Sequence, residues 1–320
     1  MRRLIYEKHR SFDFYNSTSI KSYNLDETIR YQLKMLDGLD AYTRRHSDNV
    51  ANITCRLCEK LKLSKGFTVY CTTCAYLHDI GKIFIPPSVL QKPGKLTEEE
   101  YEIMKTHTSI GYKICMNDLK LRPYAAGTLY HHESLDGTGY PNGVTADKIP
   151  YEAQIIRVAD EFEAITAKRQ YKSHIGVVDA LNILIDHARV TPPKDLKDGF
   201  KRMKTAGLGK IDKKILKALF KVIIDDTEYE IVARTDYLDY LKSEIKRIQD
   251  AQRYYDKMRA ALTEDKREYY KLEVKCYLKH HEDPEKIPQM LAEFEETYKV
   301  RKAHIARLYD EVKQIKRLTI

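Results

Sequence analysis

Apolar positions along most of this chain recur at steps of three and four, the spacing that gathers them on one face of a helix. Ile29, Leu33, Leu36 and Leu39 begin the pattern, and Val50, Ile53, Leu57 and Leu61 continue it as far as Gly66. Phe67 to His78 predicts the next helix, and Gly81 permits a tight turn beyond it. Pro86-Pro87 forces an extended loop, since neither nitrogen can donate. Thr97 and Glu100 have the spacing of a capping box, ahead of a helix with Tyr101, Met104, His107 and Ile110. Pro123 opens a helix that ends in His131-His132. Residues 133–150, with Gly137, Gly139, Pro141, Asn142, Gly143 and Pro150, predict a loop long enough to suggest a function. Ile149-Pro150 starts an apolar helix through Ile155, Ile156, Ala159, Phe162 and Ile165, and Ile175 to Ala188 reads as another. Residues 191–209 look like an exposed insertion, after which Ile211, Ile215, Leu216, Leu219 and Ile223 make a closing amphipathic helix.

From Thr227 onward glycine is absent, and proline occurs only at Pro284 and Pro288. Leu238, Leu241, Ile245 and Ile248, then Ile287, Leu291, Phe294, Tyr298, Ile305, Leu308, Val312 and Ile315, give a heptad-like spacing. Arg301 stands in this stripe where a strict coiled coil would carry Leu, so a short helical bundle is expected rather than a continuous two-stranded coil. The expected fold is all-α. Residues 1–35 form a partly helical lead, 36–224 a helical domain, and 225–320 a helical interaction module, with Asp225-Asp226 as a polar break between the last two.

The 320 residues carry a formal net charge of +9, but Lys and Arg alternate with Asp and Glu, as on solvated helical faces. No aromatic-basic platform or recognition-helix signature stands out, so nucleic acid is not an expected partner. No window approaches 18 uninterrupted apolar residues, and the charged N-terminus lacks a following apolar run. These features predict a soluble cytoplasmic protein with no membrane association. Cys55-x-x-Cys58 and Cys71-x-x-Cys74 have zinc-site spacing, yet both pairs fall in apolar helical pattern, where a reduced Cys packs as a small hydrophobe.

Candidate chemistry centres on His78-Asp79. An imidazole beside a carboxylate suits a hard-to-borderline metal ion, and the two oxygens of Asp79 could bridge to a second one. His46 lies upstream; His107, His131-His132 and Asp160 lie downstream, so five of the 11 histidines belong to the set. Several helices separated by short loops can deliver such ligands to one interior point. Asp160 is an acid inside an apolar helix, and a buried acid needs a partner that a metal could supply. Imidazole and carboxylate without thiolate favour iron or manganese, with zinc, magnesium and nickel as alternatives.

Three motifs, H-D-I-G-K-I from His78, H-H-E-S-L-D-G-T-G-Y-P from His131 and V-A-D-E-F-E-A-I-T-A-K-R-Q-Y-K from Val158, resemble the HD-GYP family. The resemblance runs from about Leu36 to about Ile224. It implies an HD-type helical bundle with a metal site in its core, and a bacterial phosphodiesterase acting on cyclic di-GMP or cyclic GMP-AMP. By this resemblance His46, His78, Asp79 and Asp160 hold one divalent ion; Asp79, His107, His131 and His132 hold the other. A hydroxide bridging the two ions would attack phosphorus in line with the leaving 3′ oxygen. Lys82, one turn from Asp79, would contact the phosphate or protonate that oxygen. Arg169 and Lys172 would contact substrate. Glu133, Asp136, Gly137 and Gly139-Tyr140-Pro141 would shape the site and offer a surface to a protein partner, and the C-terminal helices could pair two chains as a homodimer. The alternatives are an HD-type hydrolase of another nucleotide and a catalytically weak scaffold that binds cyclic dinucleotides.

Some relatives in the family place a Glu four residues before the first ligand His, where it helps hold a third ion; here that residue is Tyr42. A phenol with a pKa of about 10 is a poor ligand for a divalent ion at neutral pH. Asp40, six residues before His46, is roughly 120° out of phase with it on a helix. Two metal ions are therefore expected, and three fully occupied positions in an anomalous scattering map would overturn this.

Overall fold

Ser64 sets the first corner of the fold. Its side chain accepts a hydrogen bond from the Phe67 amide at 3.2 Å, and Lys62 just before it takes a left-handed backbone conformation with φ 58°. The chain therefore reverses within a few residues between α1 (Ala41–Lys60) and α2 (Lys65–Leu77), which pack on one another. These features come from a computed structural model, which describes residues 41–167, 175–189 and 208–319. After α2, a 3₁₀ turn (Ile80–Phe84) and the short α3 (Pro87–Leu90) lead to α4 (Glu98–Asn117). The predicted capping box is formed: the Glu100 amide donates to Thr97 Oγ1 and the Thr97 amide donates to the Glu100 carboxylate. Then come α5 (Ala125–Tyr130), α6 (Tyr151–Thr166) and α7 (Val177–Ala188). The last elements are α8 (Lys213–Ala260), α9 (Glu264–Tyr277) and α10 (Ile287–Ile315). The fold is all-α, with no strand among the described residues. No described helix is long and apolar enough to cross a membrane.

The described residues divide into two compact units. One runs to Asp225 and takes back the chain from Gln314 onward; the other is Asp226–Lys313. In the first, Val50, Leu57, Leu77, Ile80, Ile155, Ile156, Leu181, Leu184, Ile215 and Leu219 share one core. Cys58, Cys71 and Cys74 belong to it and Cys55 is buried beside them, all as free thiols. Burial pushes the Cys71 and Cys74 thiols well above their usual pKa, so they pack as neutral groups. Gly81 is required by close approach as well as by the turn: a Cβ there would lie 1.9 Å from the His107 carbonyl oxygen. The turn after His78-Asp79 is thereby pressed against α4.

The expected break at Asp225-Asp226 falls where the two compact units divide, but it does not interrupt the helix. Both residues lie inside α8, and Asp225 is buried and ion-paired with Lys60, so the acidic pair is accommodated within a continuous helix. The insertion expected at 191–209 lies outside the described residues as far as 207. In the second unit, Ile248, Ala251, Val274 and Ile287 form a small core surrounded by Tyr254, Tyr255, Tyr277 and Phe294. Arg247 clamps the Glu282 carboxylate with two bonds of 2.7 Å. Arg301, the residue out of pattern, is exposed with its guanidinium 5.3 Å from the Tyr237 ring centre.

Ile315, 1% exposed, and the half-buried Leu318 pack with the core of the first unit. Ile315→Ala is expected to cost that core about 2–4 kcal/mol, the usual penalty for truncating a buried Ile. Chemical denaturation provides the check, and an unchanged midpoint would remove the C-terminus from the core.

Candidate metal centre

Seven side chains predicted from sequence converge inside the first unit. His46 lies within α1, His78 is the C-cap residue of α2, and Asp79 follows in the turn. His107 comes from α4, His131 and His132 directly follow α5, and Asp160 comes from α6. All are buried except His132, which is half-buried.

The backbone fixes how the rings face. His78 Nδ1 donates to the Ala75 carbonyl at 2.6 Å, His107 Nδ1 to Met104 at 2.6 Å, and His131 Nδ1 to Thr128 at 2.9 Å. A carbonyl can only accept, so Nδ1 carries the hydrogen and each ring turns its Nε2 inward. His46 Nδ1 is held at 2.6 Å by the carboxylate of Glu163, which also accepts from Asn49 at 2.8 Å.

The inward atoms form two groups divided by Asp79. Its Oδ2 lies 3.5 Å from His46 Nε2 and 3.3 Å from His78 Nε2. Its Oδ1 lies 3.4 Å from His107 Nε2 and 3.9 Å from His131 Nε2. Asp160 Oδ1 adds to the first group, 3.1 Å from His46 Nε2, and Asp160 Oδ2 lies 3.9 Å from His132 Nδ1. His46, His78 and Asp79 are close enough to share one ion, as are His107, His131 and His132.

The donors fit cations there. His78 Nε2 and Asp79 Oδ1 are buried without a hydrogen-bond partner. His107 Nε2 and His131 Nε2 stand 3.3 Å apart, both deprotonated in the tautomer their backbone bonds impose. Lone pairs at that distance repel unless a positive charge lies between them. Burial holds His107 down at about 4, and His131 and His132 well below the usual histidine range, so these rings are neutral and able to ligate at pH 7. At His46, burial works against the charged form. The hydrogen bonds to Asp160 and Glu163 and the charges of Asp160 and Asp79 outweigh it, raising the ring to about 10. A metal bound there would take the place of that proton. Asp79 resists burial through His78, Lys82 and His107, and its carboxyl stays well below the usual carboxylate range.

Lys82 places its ammonium 2.5 Å from Asp79 Oδ2, as the one-turn spacing suggested. Arg169 and Lys172 lie outside the described residues, as does Asp40. Tyr42 stacks on His46, with ring centres 6.5 Å apart. In the loop after His132, the Glu133 carboxylate accepts from the Asn142 and Val144 amides at 2.7 and 3.0 Å, and Tyr140 stacks on His132 at 4.7 Å. Sequence reasoning did not single out Glu163, Asn49 or Arg157, whose guanidinium donates to the His132 carbonyl at 2.9 Å. A signal existed for two of them: Arg157 and Glu163 flank Asp160 at three residues, on neighbouring positions of one side of the helix.

Glu163→Gln removes the anion that orients His46. It is expected to weaken metal binding about 10–100-fold with the fold retained. Metal titration alongside circular dichroism checks this, and wild-type affinity would reduce Glu163 to a packing role.

Comparison with known proteins gives the family. The HD domain family pattern matches residues 27–191. The chain is 43% identical over 147 residues to a cyclic di-GMP phosphodiesterase of Thermotoga maritima, covering 44% of this chain and 40% of that protein. It is 35% identical over 161 residues to the 3′3′-cGAMP-specific phosphodiesterase 3 of Vibrio cholerae, covering 50% and 35%. The chain thus spans well under half the length of these curated relatives. A solved HDG"Y"P protein from Bdellovibrio bacteriovorus aligns with a TM-score of 0.44 at 19% identity, covering 69% of each chain. The chain belongs to the HD domain family and, within it, to the HD-GYP proteins.

Proposed function

We propose that this chain is a metal-dependent phosphodiesterase that hydrolyses a cyclic dinucleotide, cyclic di-GMP or cyclic GMP-AMP. The observation that carries this reading is the buried Asp79 carboxylate, each of whose oxygens faces a different set of imidazoles. Relatives named for each of the two substrates match the chain, which supports the substrate class. In this reading His46, His78, Asp79 and Asp160 hold one divalent ion and Asp79, His107, His131 and His132 the other, with iron or manganese preferred by the donor set. When bound, two such ions supply charge neutralisation for a phosphodiester and an acidified water.

The chain's own groups do the rest. Backbone carbonyls and Glu163 hold the imidazoles in one tautomer, so the donor set is organised before substrate arrives. Lys82 is a compact cation at the rim, with a fifth of its side chain exposed, and its ammonium can contact a phosphate oxygen or give a proton to the leaving 3′ oxygen. Glu133 ties the 142–144 backbone beside His132, which fixes where Tyr140 closes on the site. Arg169 and Lys172 are proposed as substrate contacts. The 226–313 unit is proposed as an interaction module that could pair two chains, and the 133–150 loop as a surface for a protein partner. A cytoplasmic location suits the free thiols of the core.

The test is turnover of a panel of cyclic dinucleotides under reducing conditions with iron or manganese. Asp79→Ala is expected to lose both metal and turnover while remaining folded. Lys82→Ala should keep metal and lose on the order of 10²-fold in kcat. Metal-replete Asp79→Ala turning over at the wild-type rate would end the two-ion reading, and an unchanged kcat for Lys82→Ala would return that residue to the solvated surface.

A further inference from the structure

A file of aromatic rings leads out of the metal centre. His132 stacks on Tyr140 with ring centres 4.7 Å apart, and Tyr140 meets Tyr101 edge to face at 6.3 Å. Exposure rises along it: His132 and Tyr140 are half-buried, and Tyr101 is 46% exposed. Tyr101 stands on a firmly built turn, the start of α4, where the capping box and a Lys92–Glu100 ion pair of 2.5 Å fix the backbone. Lys105, one turn further on, places its ammonium 4.8 Å from the Tyr101 ring centre and 5.8 Å from that of Tyr140, and donates to Glu102 at 2.6 Å.

An aromatic face presented to solvent on a rigid turn suits the flat face of a base, because stacking needs no sequence-specific hydrogen bonds. A cyclic dinucleotide also carries two phosphodiesters, only one of which can occupy the metal centre at a time. The other needs a cation outside the ligand set. We propose that Tyr101 and Lys105 form a substrate subsite at the mouth of the metal centre: Tyr101 stacks on a purine base of the cyclic dinucleotide, and Lys105 contacts the phosphate that is not being cleaved. The proposal rests on the phosphodiesterase reading above. It assigns α4 two roles, with His107 a candidate ligand inside and Tyr101 a base platform outside.

The chain contains no tryptophan, so Tyr101→Trp introduces a sole indole reporter. Titration of metal-loaded Tyr101→Trp with the phosphorothioate analogue of cyclic di-GMP is expected to quench its fluorescence saturably. In parallel calorimetric titrations, Tyr101→Ala should raise Kd for the analogue about tenfold while Tyr101→Phe stays near wild type, since stacking needs the ring and not the hydroxyl. Lys105→Ala should weaken binding and flatten its salt dependence. All variants should retain wild-type metal content and wild-type turnover of methyl p-nitrophenyl phosphate, which has no base and no second phosphate. A Tyr101→Ala Kd within twofold of wild type overturns the platform, and an unaltered salt dependence in Lys105→Ala overturns the phosphate contact. Wild-type binding of the analogue without turnover of cyclic di-GMP or cyclic GMP-AMP overturns the catalytic reading alone, whereas absence of binding overturns the subsite.

Discussion

A carboxylate buried among imidazole lone pairs is the constraint around which the first unit is arranged. Asp79 is 1% exposed, and its neighbours at 3.3 to 3.9 Å include the Nε2 atoms of four histidines. Lys82 answers only part of its charge. A buried anion needs its charge answered, so the cluster is poised for cations, and the surrounding fold has to withstand the repulsion among the remaining donors without them. A close-packed core of short loops and tightly apposed helices does so. Gly81 leaves no room between the His78-Asp79 turn and α4, and Gly127 brings α5 against Cys74, where a Cβ would lie 2.7 Å from the Cys74 Cβ.

The same arrangement explains why the supporting residues are polar, with Glu133 and Glu163 buried. Glu163 and Asn49 sit behind His46, Arg157 behind His132, and Glu133 behind the Asn142 and Val144 amides. Each bonds a group that the candidate ligands, their helix or the loop already present. Their value lies in fixing tautomer and direction rather than in adding donors. The cysteines differ: buried in apolar surroundings and raised in pKa, they fill space in the core, and their C-x-x-C spacing reflects helical periodicity.

The second unit follows another logic. Its core is small, and polar clamps such as Arg247 with Glu244 and Glu282 hold its helix connections. Arg301 interrupts the apolar stripe of α10 yet gains a ring contact with Tyr237. A helix pair built this way is held by several modest terms, each weaker than a core of comparable length.

Helix periodicity, the Thr97–Glu100 capping box and the long loop after His132 were legible in the sequence because each depends on spacing within a few residues, and the candidate ligands were legible through short motifs that resemble the HD-GYP family. The acid at 160 stood out because an apolar helix isolates it. What tertiary structure alone decided was the relations between distant segments that no motif records: that Glu163 reaches His46 across 117 residues, and that Ile315 belongs to the first core. The acidic pair at 225–226 marks where the two units divide, yet it does not end a helix. Lys60, 165 residues away, neutralises Asp225 and lets α8 pass through. Local pattern fixes what a residue can do; which partner stands opposite it is set by packing, and that information is spread over the whole chain.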